Sequence, residues 1–370
     1  MELDAQLSSL LTSALRNRGA GAAAAPLSRS AAQSNVARAG ELLRQHQRRR
    51  ATTSLARLTA PSCAAAAEAV IATQVNSGFV EWALQLARNL DAVGRLQQTV
   101  VFCEDEAAAR AMRGVRGATN GATPRVFYDA RIASNVSERR RRDRHAEYLQ
   151  IAYNKSLYVL LLLRARRAVL FLDADVSVVC DPLPWLLRHA AAADVLVTSD
   201  APDRGNDNGE YNGGVFFARP TTAAIAAFER MDASARRPSC GADLRGARCN
   251  DLRGVAHQRL FNLALAAPAR GGGGGRSGAA RVRMVESELF QSGRARLQLR
   301  KAGAEFARMP VLVHHSGVDD LARKAAAARR DGLWQAEGAP PPAVLFRRAA
   351  GAALLGGCAV PAPCANRTSG

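Results

Sequence analysis

The sequence predicts an α/β domain built on a mixed, mainly parallel sheet flanked by helices. Three observations carry this prediction. Short continuous apolar runs alternate with segments of helical spacing along the chain. The first two runs, Ala69–Thr73 and Thr99–Cys103, are one helix apart, as in a βαβ unit. A third run, Ala168–Leu172, is apolar throughout, as in a central strand buried on both faces, and it ends abruptly in Asp173-Ala174-Asp175. Open parallel sheets hold their ligands beyond the C-terminal ends of the strands, so chemistry is expected there.

The elements follow in order. After the first strand, Phe79, Trp82, Ala83, Leu86 and Leu90 have helical spacing. The second strand ends in Glu104-Asp105, and a helix is expected over Ala107–Arg113 and a strand over Arg125–Tyr128. Glu138–Arg142 is a charge run, read as a solvated segment or a phosphate-facing patch. A helix is predicted from Ala146 to Arg164, with Ile151, Leu157, Leu160 and Leu161 on its apolar side. Strands follow at Asp194–Thr198 and Gly214–Ala218, and helices at Thr221–Met231 and Leu252–Ala266. Gly271–Gly275 reads as a loop, Val311–Val313 as a late strand delivering His314 and His315, and Asp319–Arg330 as a last helix before Gly332-Leu333-Trp334.

Composition bounds the rest. The chain has 370 residues, 48% of them hydrophobic but only 5% aromatic, so the core is expected to use small aliphatic side chains. Residues 1–66 read as a basic, Ala/Arg-rich leader or linker without a packed core, 67–337 as one catalytic domain, and 338–370 as a Pro/Ala-rich tail. No apolar stretch reaches the ~18 residues of a transmembrane helix, and neither a secretory signal nor a membrane anchor is visible. The net charge is +19, yet Lys155, Lys301 and Lys324 are the only lysines among 51 basic residues. Such an arginine and alanine bias reads first as GC-rich coding drift. No surface aromatics are interleaved with it, so no nucleic-acid partner is expected. Among seven cysteines, Cys240 with Cys249 and Cys358 with Cys364 fit small loops in an oxidising compartment, and free thiols fit equally. Asn135, Asn154 and Asn366 stand in glycosylation triplets.

The Asp173-x-Asp175 pair is the strongest chemical signal. In extended backbone, residues i and i+2 point to the same side, so two carboxylates at a strand mouth make a hard, oxygen-rich site for a divalent cation. Two chemistries fit. In a sugar-nucleotide transferase the cation neutralises a departing diphosphate. In an aspartyl-phosphate phosphohydrolase the first Asp attacks phosphorus, and Asp319-Asp320 would supply a late acidic pair.

A family resemblance separates them. Val70–Thr73, Lys155, Val169–Val176, Asp181-Pro182, Ser199-Asp200, Tyr211–Phe217, Gln258 with Phe261-Asn262, Val313–His315, Lys324 and Gly332–Trp334 come in the order seen in the nucleotide-diphospho-sugar transferases. The chain resembles the members with a glycosyltransferase A fold, and most closely the plant cell-wall xylosyl- and arabinosyltransferases. The resemblance implies that Asp173, Asp175 and His314 hold Mn2+ (or Mg2+), with the adjacent His315 leaving the histidine ambiguous. It implies that Lys155 and Lys324 meet the donor phosphates, that Thr73, Asn76 and Asp105 line base and ribose, and that Asp200 and Asn212 bond the transferred sugar. It further implies a UDP-linked pentose or galactose donor, a glycan or glycoprotein hydroxyl as acceptor, retention of anomeric configuration and a Golgi setting.

One position departs from the family. His257-Gln258 stands where the family carries Asp-Gln, an acid that is a candidate for stabilising the developing oxocarbenium charge. Asp251 lies about 240° around a helix from this position and cannot replace it from the same face. Gln258 alone, a loop acid or altered activity remain as the alternatives.

Overall fold

A computed structural model describes residues 69–118, 121–130, 132–133, 145–200, 211–235, 256–266, 279–301, 310–316 and 320–334. The expectations for residues 1–66 and 338–370, the 138–142 charge run, the 271–275 loop, Asp319, the Cys240/Cys249 and Cys358/Cys364 pairs, and the Asn135 and Asn366 triplets lie outside them.

The seven-stranded sheet has the order β3-β2-β1-β4-β7-β6-β8. Its strands are β1 (Val70–Val75), β2 (Thr99–Cys103), β3 (Arg125–Phe127), β4 (Val169–Leu172), β6 (Val195–Ser199), β7 (Tyr211–Ala218) and β8 (Val282–Met284). β1 pairs in parallel with β2 and β4, β2 with β3, and β6 with β8; only β7 runs antiparallel, between β4 and β6. The expected mixed, mainly parallel sheet is therefore present, with β4 at its centre. A small second sheet, β5 (Val176–Val178), β10 (Leu312–His314) and β9 (Phe290–Gln291), stands beside it.

Two layers of helix cover the sheet. On one face Ile71, Val101, Leu170, Leu172, Leu196, Val215 and Phe217 join one apolar cluster with α1 (Val80–Ala92), α2 (Glu106–Arg113), α4 (Leu183–His189), α8 (Leu321–Arg330) and the small sheet. On the other face lie α3 (His145–Arg164), α5 (Thr222–Ala235) and α6 (Ala256–Ala266). Here Phe102 stacks on Tyr158 at 4.3 Å, and Phe216 meets Phe171, Phe228 and Phe261 at 5.0 to 5.5 Å between ring centroids. Aromatic pairs occur on the opposite face as well, among them Trp82 with Trp334 and Trp185 with Phe290, and each contributes about 0.5–1.5 kcal/mol beyond area burial.

The structure corrects several boundaries. α3 is buried all round from Leu157 to Leu163 rather than along one stripe, because it is sandwiched between the sheet and α5 and α6. β7 spans Tyr211–Ala218, so Tyr211, Asn212 and Gly213 belong to the strand instead of preceding it. Its pairing with β6 slips between Val197 and Thr198, where the glycines interrupt the regular pleat. α6 is described from Ala256 to Ala266; Asp251 and the expected start at Leu252 lie outside the described residues. β5, β8, β9, α4 and α7 (Gly293–Lys301) have no counterpart in the sequence reading, since runs of two to nine residues are too short to show a period. Asn154 is buried and donates to Glu104 and to the Ile132 carbonyl, so its triplet offers no free amide to a glycan. No helix among the described residues is long and apolar enough to cross a membrane.

Candidate metal and nucleotide centre

The site lies at the C-terminal end of β4. The chain leaves the sheet at Leu172, turns through Asp173 and Ala174, and re-enters as β5 at Val176, which β10 pairs antiparallel. That pairing sets His314 opposite Val176, and so beside the acidic turn although 139 residues of chain separate it from Asp175. Ligand atoms of Asp173, Asp175 and His314 all lie within 4.8 Å of one another. His314 Nε2 is 3.3 Å from Asp175 Oδ1 and 3.7 Å from Asp173 Oδ2.

The hydrogen bonds behind the imidazole fix its tautomer. Asn212 Nδ2 donates to Asp200 Oδ1 at 2.9 Å, and an ionised carboxylate only accepts. The other end of the amide, Oδ1, accepts from the Gly214 N–H at 2.8 Å. The Asn212 amide is thereby oriented, and His314 Nδ1, 3.1 Å from the same Oδ1, must be the protonated nitrogen. Nε2 then faces two carboxylates. Its lone pair points at two carboxylates, an arrangement that a cation in the gap would satisfy. Burial alone would push the Asp175 carboxyl up, but His314 and Lys324 outweigh it and hold it well below the usual carboxylate range.

This donor set fits a divalent ion. Its two carboxylates offer hard oxygen ligands and its imidazole a nitrogen, with the ligand atoms all within 4.8 Å of one another. Gly214 keeps the space open: a Cβ there would lie 2.3 Å from His314 Cε1 and 2.4 Å from Asp173 Oδ2. Lys155 Nζ donates to Asp173 Oδ1 at 2.6 Å and to the Gly213 carbonyl at 3.1 Å; Lys324 Nζ donates to Asp175 Oδ2 at 2.5 Å.

His315 points away from this centre. Its Nε2 lies 2.9 Å from Ser177 Oγ and its ring 5.4 Å from that of Trp82, and burial lowers its pKa to about 3. Alternation along β10 gives the two histidines opposite faces, which removes the ambiguity left by the sequence.

The remaining predicted residues form two groups. Asp200 Oδ2 accepts from Gln258 Nε2 at 2.9 Å, giving a continuous path Gln258–Asp200–Asn212–His314 into the centre. Asn262, one turn after Gln258, braces it: Nδ2 donates to the Gln258 and Tyr211 carbonyls, and Oδ1 accepts from Tyr211 N. The sequence reading assigned Asn262 no role, although its i+4 spacing from Gln258 was a signal. His257 is the second residue of α6, and its side chain lies outside the described residues.

Asn76 and Asp105 follow the ends of β1 and β2, Thr73 lies inside β1 opposite Val101, and all three are buried. Thr73 Oγ1 is buried without a partner, a polar atom left over inside the strand. Asp105 is engaged structurally: Oδ1 accepts from Ala108 N at 2.8 Å as the N-cap of α2, and Oδ2 accepts from Ser77 N at 2.7 Å. Beneath them Glu104, fully buried, accepts from Gln74 and from Asn154, the neighbour of Lys155 on α3. No sequence motif marked this bridge.

The model of the nucleotide-diphospho-sugar transferase family matches residues 94–326, more than half of the chain. No curated protein matches. Among solved structures, the galactosyltransferase LgtC in complex with donor and acceptor sugar analogues is 13% identical over 67% of this chain and 87% of its own, with a TM-score of 0.38. The bifunctional glycosyltransferase WbbM is 12% identical over 70% of this chain and 47% of its own (TM-score 0.42). The glycosyltransferase GlyE of Streptococcus pneumoniae is 10% identical over 67% and 54% (TM-score 0.42). The chain thus spans about half the length of WbbM and GlyE. By its sequence from Gly94 to Ala326, the chain belongs to the nucleotide-diphospho-sugar transferase family.

Proposed function

We propose that the protein transfers a sugar, a pentose or galactose, from a UDP-linked donor to a hydroxyl of a glycan or glycoprotein, with Mn2+ and with retention of anomeric configuration. The convergence of Asp173, Asp175 and His314 at the end of the central strand carries this reading. A divalent ion held there supplies positive charge to the departing diphosphate. The chain's own residues do the rest. Lys155 and Lys324 flank the carboxylates as point charges for phosphate oxygens. Thr73 and Asn76 meet the base and ribose, and the unsatisfied Thr73 hydroxyl supports a ligand contact there. Asp105 orders the loop around them. Asp200 and Asn212 orient the sugar hydroxyls, and Gln258 holds Asp200 in place.

The family resemblance favours the Golgi lumen as the setting. The resemblance favours a xylosyl- or arabinosyltransferase among these donors. The test is a donor screen reading UDP release with Mn2+ across UDP-sugars, against Asp173→Asn as the blank. Release from one pentose or galactose donor, abolished in the variant and by chelation, supports the proposal. Release from none, together with phosphate release from a generic phosphomonoester, sinks it.

A further inference from the structure

Each aspartate at the centre divides its two oxygens. Asp173 turns Oδ2 and Asp175 turns Oδ1 toward His314 Nε2. The opposite oxygens are taken by lysines, Asp173 Oδ1 by Lys155 at 2.6 Å and Asp175 Oδ2 by Lys324 at 2.5 Å. The inner oxygens stay open to a cation while the outer ones are fixed by ammonium groups. The arrangement holds the carboxylates in position, but it also balances them: two negative charges are matched by two positive ones within hydrogen-bond distance. A divalent ion entering alone would add its full charge to a neutral cluster, with an ammonium group behind each ligating carboxylate.

We infer that Lys155 and Lys324 neutralise the metal carboxylates so that the centre takes up a divalent cation tightly only together with an anionic diphosphate. This rests on the transferase reading above. The diphosphate supplies the negative charge that the lysines cancel, and by linkage each ligand raises the affinity for the other equally. The two lysines contribute differently. Lys155 is buried, is also bonded to the Gly213 carbonyl and lies 4.9 Å from the centroid of the Phe171 ring, so it stays in place. Lys324, on α8, is nearly as buried but is held through Asp175, without a second bond of the kind Lys155 makes to Gly213, so it is the one free to turn toward a phosphate oxygen. At an effective dielectric near 20, removing a unit charge this close to a divalent ion changes its affinity by more than about tenfold.

The experiment measures Mn2+ binding to the full chain by the electron paramagnetic resonance of free Mn2+, with and without UDP, in wild type, Lys324→Met and Lys324→Arg. The wild type is expected to bind Mn2+ at least about tenfold more tightly with UDP. Lys324→Met is expected to bind Mn2+ alone at least about tenfold more tightly than wild type and to lose most of the enhancement by UDP. Lys324→Arg, which keeps the charge, is expected to behave as wild type; this separates charge from damage to the fold. Equal Mn2+ affinity in wild type and Lys324→Met without UDP overturns the inference while leaving the metal centre standing. Absence of Mn2+ binding in wild type even with UDP overturns the transferase reading and the inference with it.

Discussion

Gly214 offers the most direct perturbation of the centre, because space and not backbone conformation demands a glycine there. Among the described glycines, those with positive φ are Gly94, Gly121 and Gly332, so alanine at 214 meets no dihedral penalty. Its Cβ would instead lie 2.3 Å from His314 Cε1, 2.4 Å from Asp173 Oδ2 and 2.9 Å from His314 Nε2. Ordinary contact begins near 3.4 Å, so the ring and the carboxylate would each have to retreat by about 1 Å. Neither is a loose side-chain end: His314 is tied to Asn212 through Nδ1, and Asp173 to Lys155. Overpacking of this kind costs about 1–3 kcal/mol of stability, or about 2–4 °C in Tm for each kcal/mol. A 1 Å displacement of reacting geometry costs about 10²-fold in rate. Gly214→Ala should therefore stay folded, with a modest fall in Tm, while Mn2+-dependent UDP release drops by about two orders of magnitude. The assay pairs thermal unfolding with single-turnover release. Wild-type release from the variant would refute the reasoning, because the ligand atoms could then not lie where a Cβ must collide with them.

Other predictions follow from the same contacts. Asn212→Ala removes the acceptor that fixes His314 Nδ1–H, and Mn2+ affinity in the presence of UDP should fall by about 10–100-fold; unchanged affinity would mean the imidazole is oriented by something else. At Asp194, burial pushes the carboxyl up, but hydrogen bonds from the Arg281 side chain and backbone N–H outweigh it and leave the pKa lowered. A depressed carboxyl stabilises the fold above its unfolded value, and that contribution is lost as pH falls through the folded one. Unfolding in urea between pH 5 and 3 should thus show an acid limb that is shallower in Asp194→Asn; parallel curves would contradict the assignment. Cys103 is buried and its thiol is pushed up to about 12, chiefly by desolvation and then by Asp105. Iodoacetamide at pH 8 should label it only after denaturation, a result readable by peptide mass mapping.

Much of the fold was legible because its main strands are short, largely apolar runs buried along their whole length. β1, β2, β4 and β6 stand where continuous hydrophobicity placed them. That β7 is the antiparallel strand was not legible, since an apolar run has no direction until its partners are known. Within the site, the Asp173-Ala174-Asp175 turn was visible for a local reason: charges ending an apolar strand are conspicuous in one dimension.

What the sequence determined by itself is the chemistry on offer: two carboxylates at a strand mouth, a histidine pair far along the chain, and only three lysines, two of them at motif positions. What the tertiary structure alone decided is how these groups address one another. The β5–β10 pairing selects His314 over His315, the Asn212 amide sets which imidazole nitrogen faces the aspartates, and Lys155 and Lys324 take the carboxylate oxygens turned away from it. The reason is physical. Residue type fixes charge and ligand character, whereas tautomer, orientation and charge balance depend on distances of a few ångströms between segments up to 149 residues apart, which only the packed chain sets.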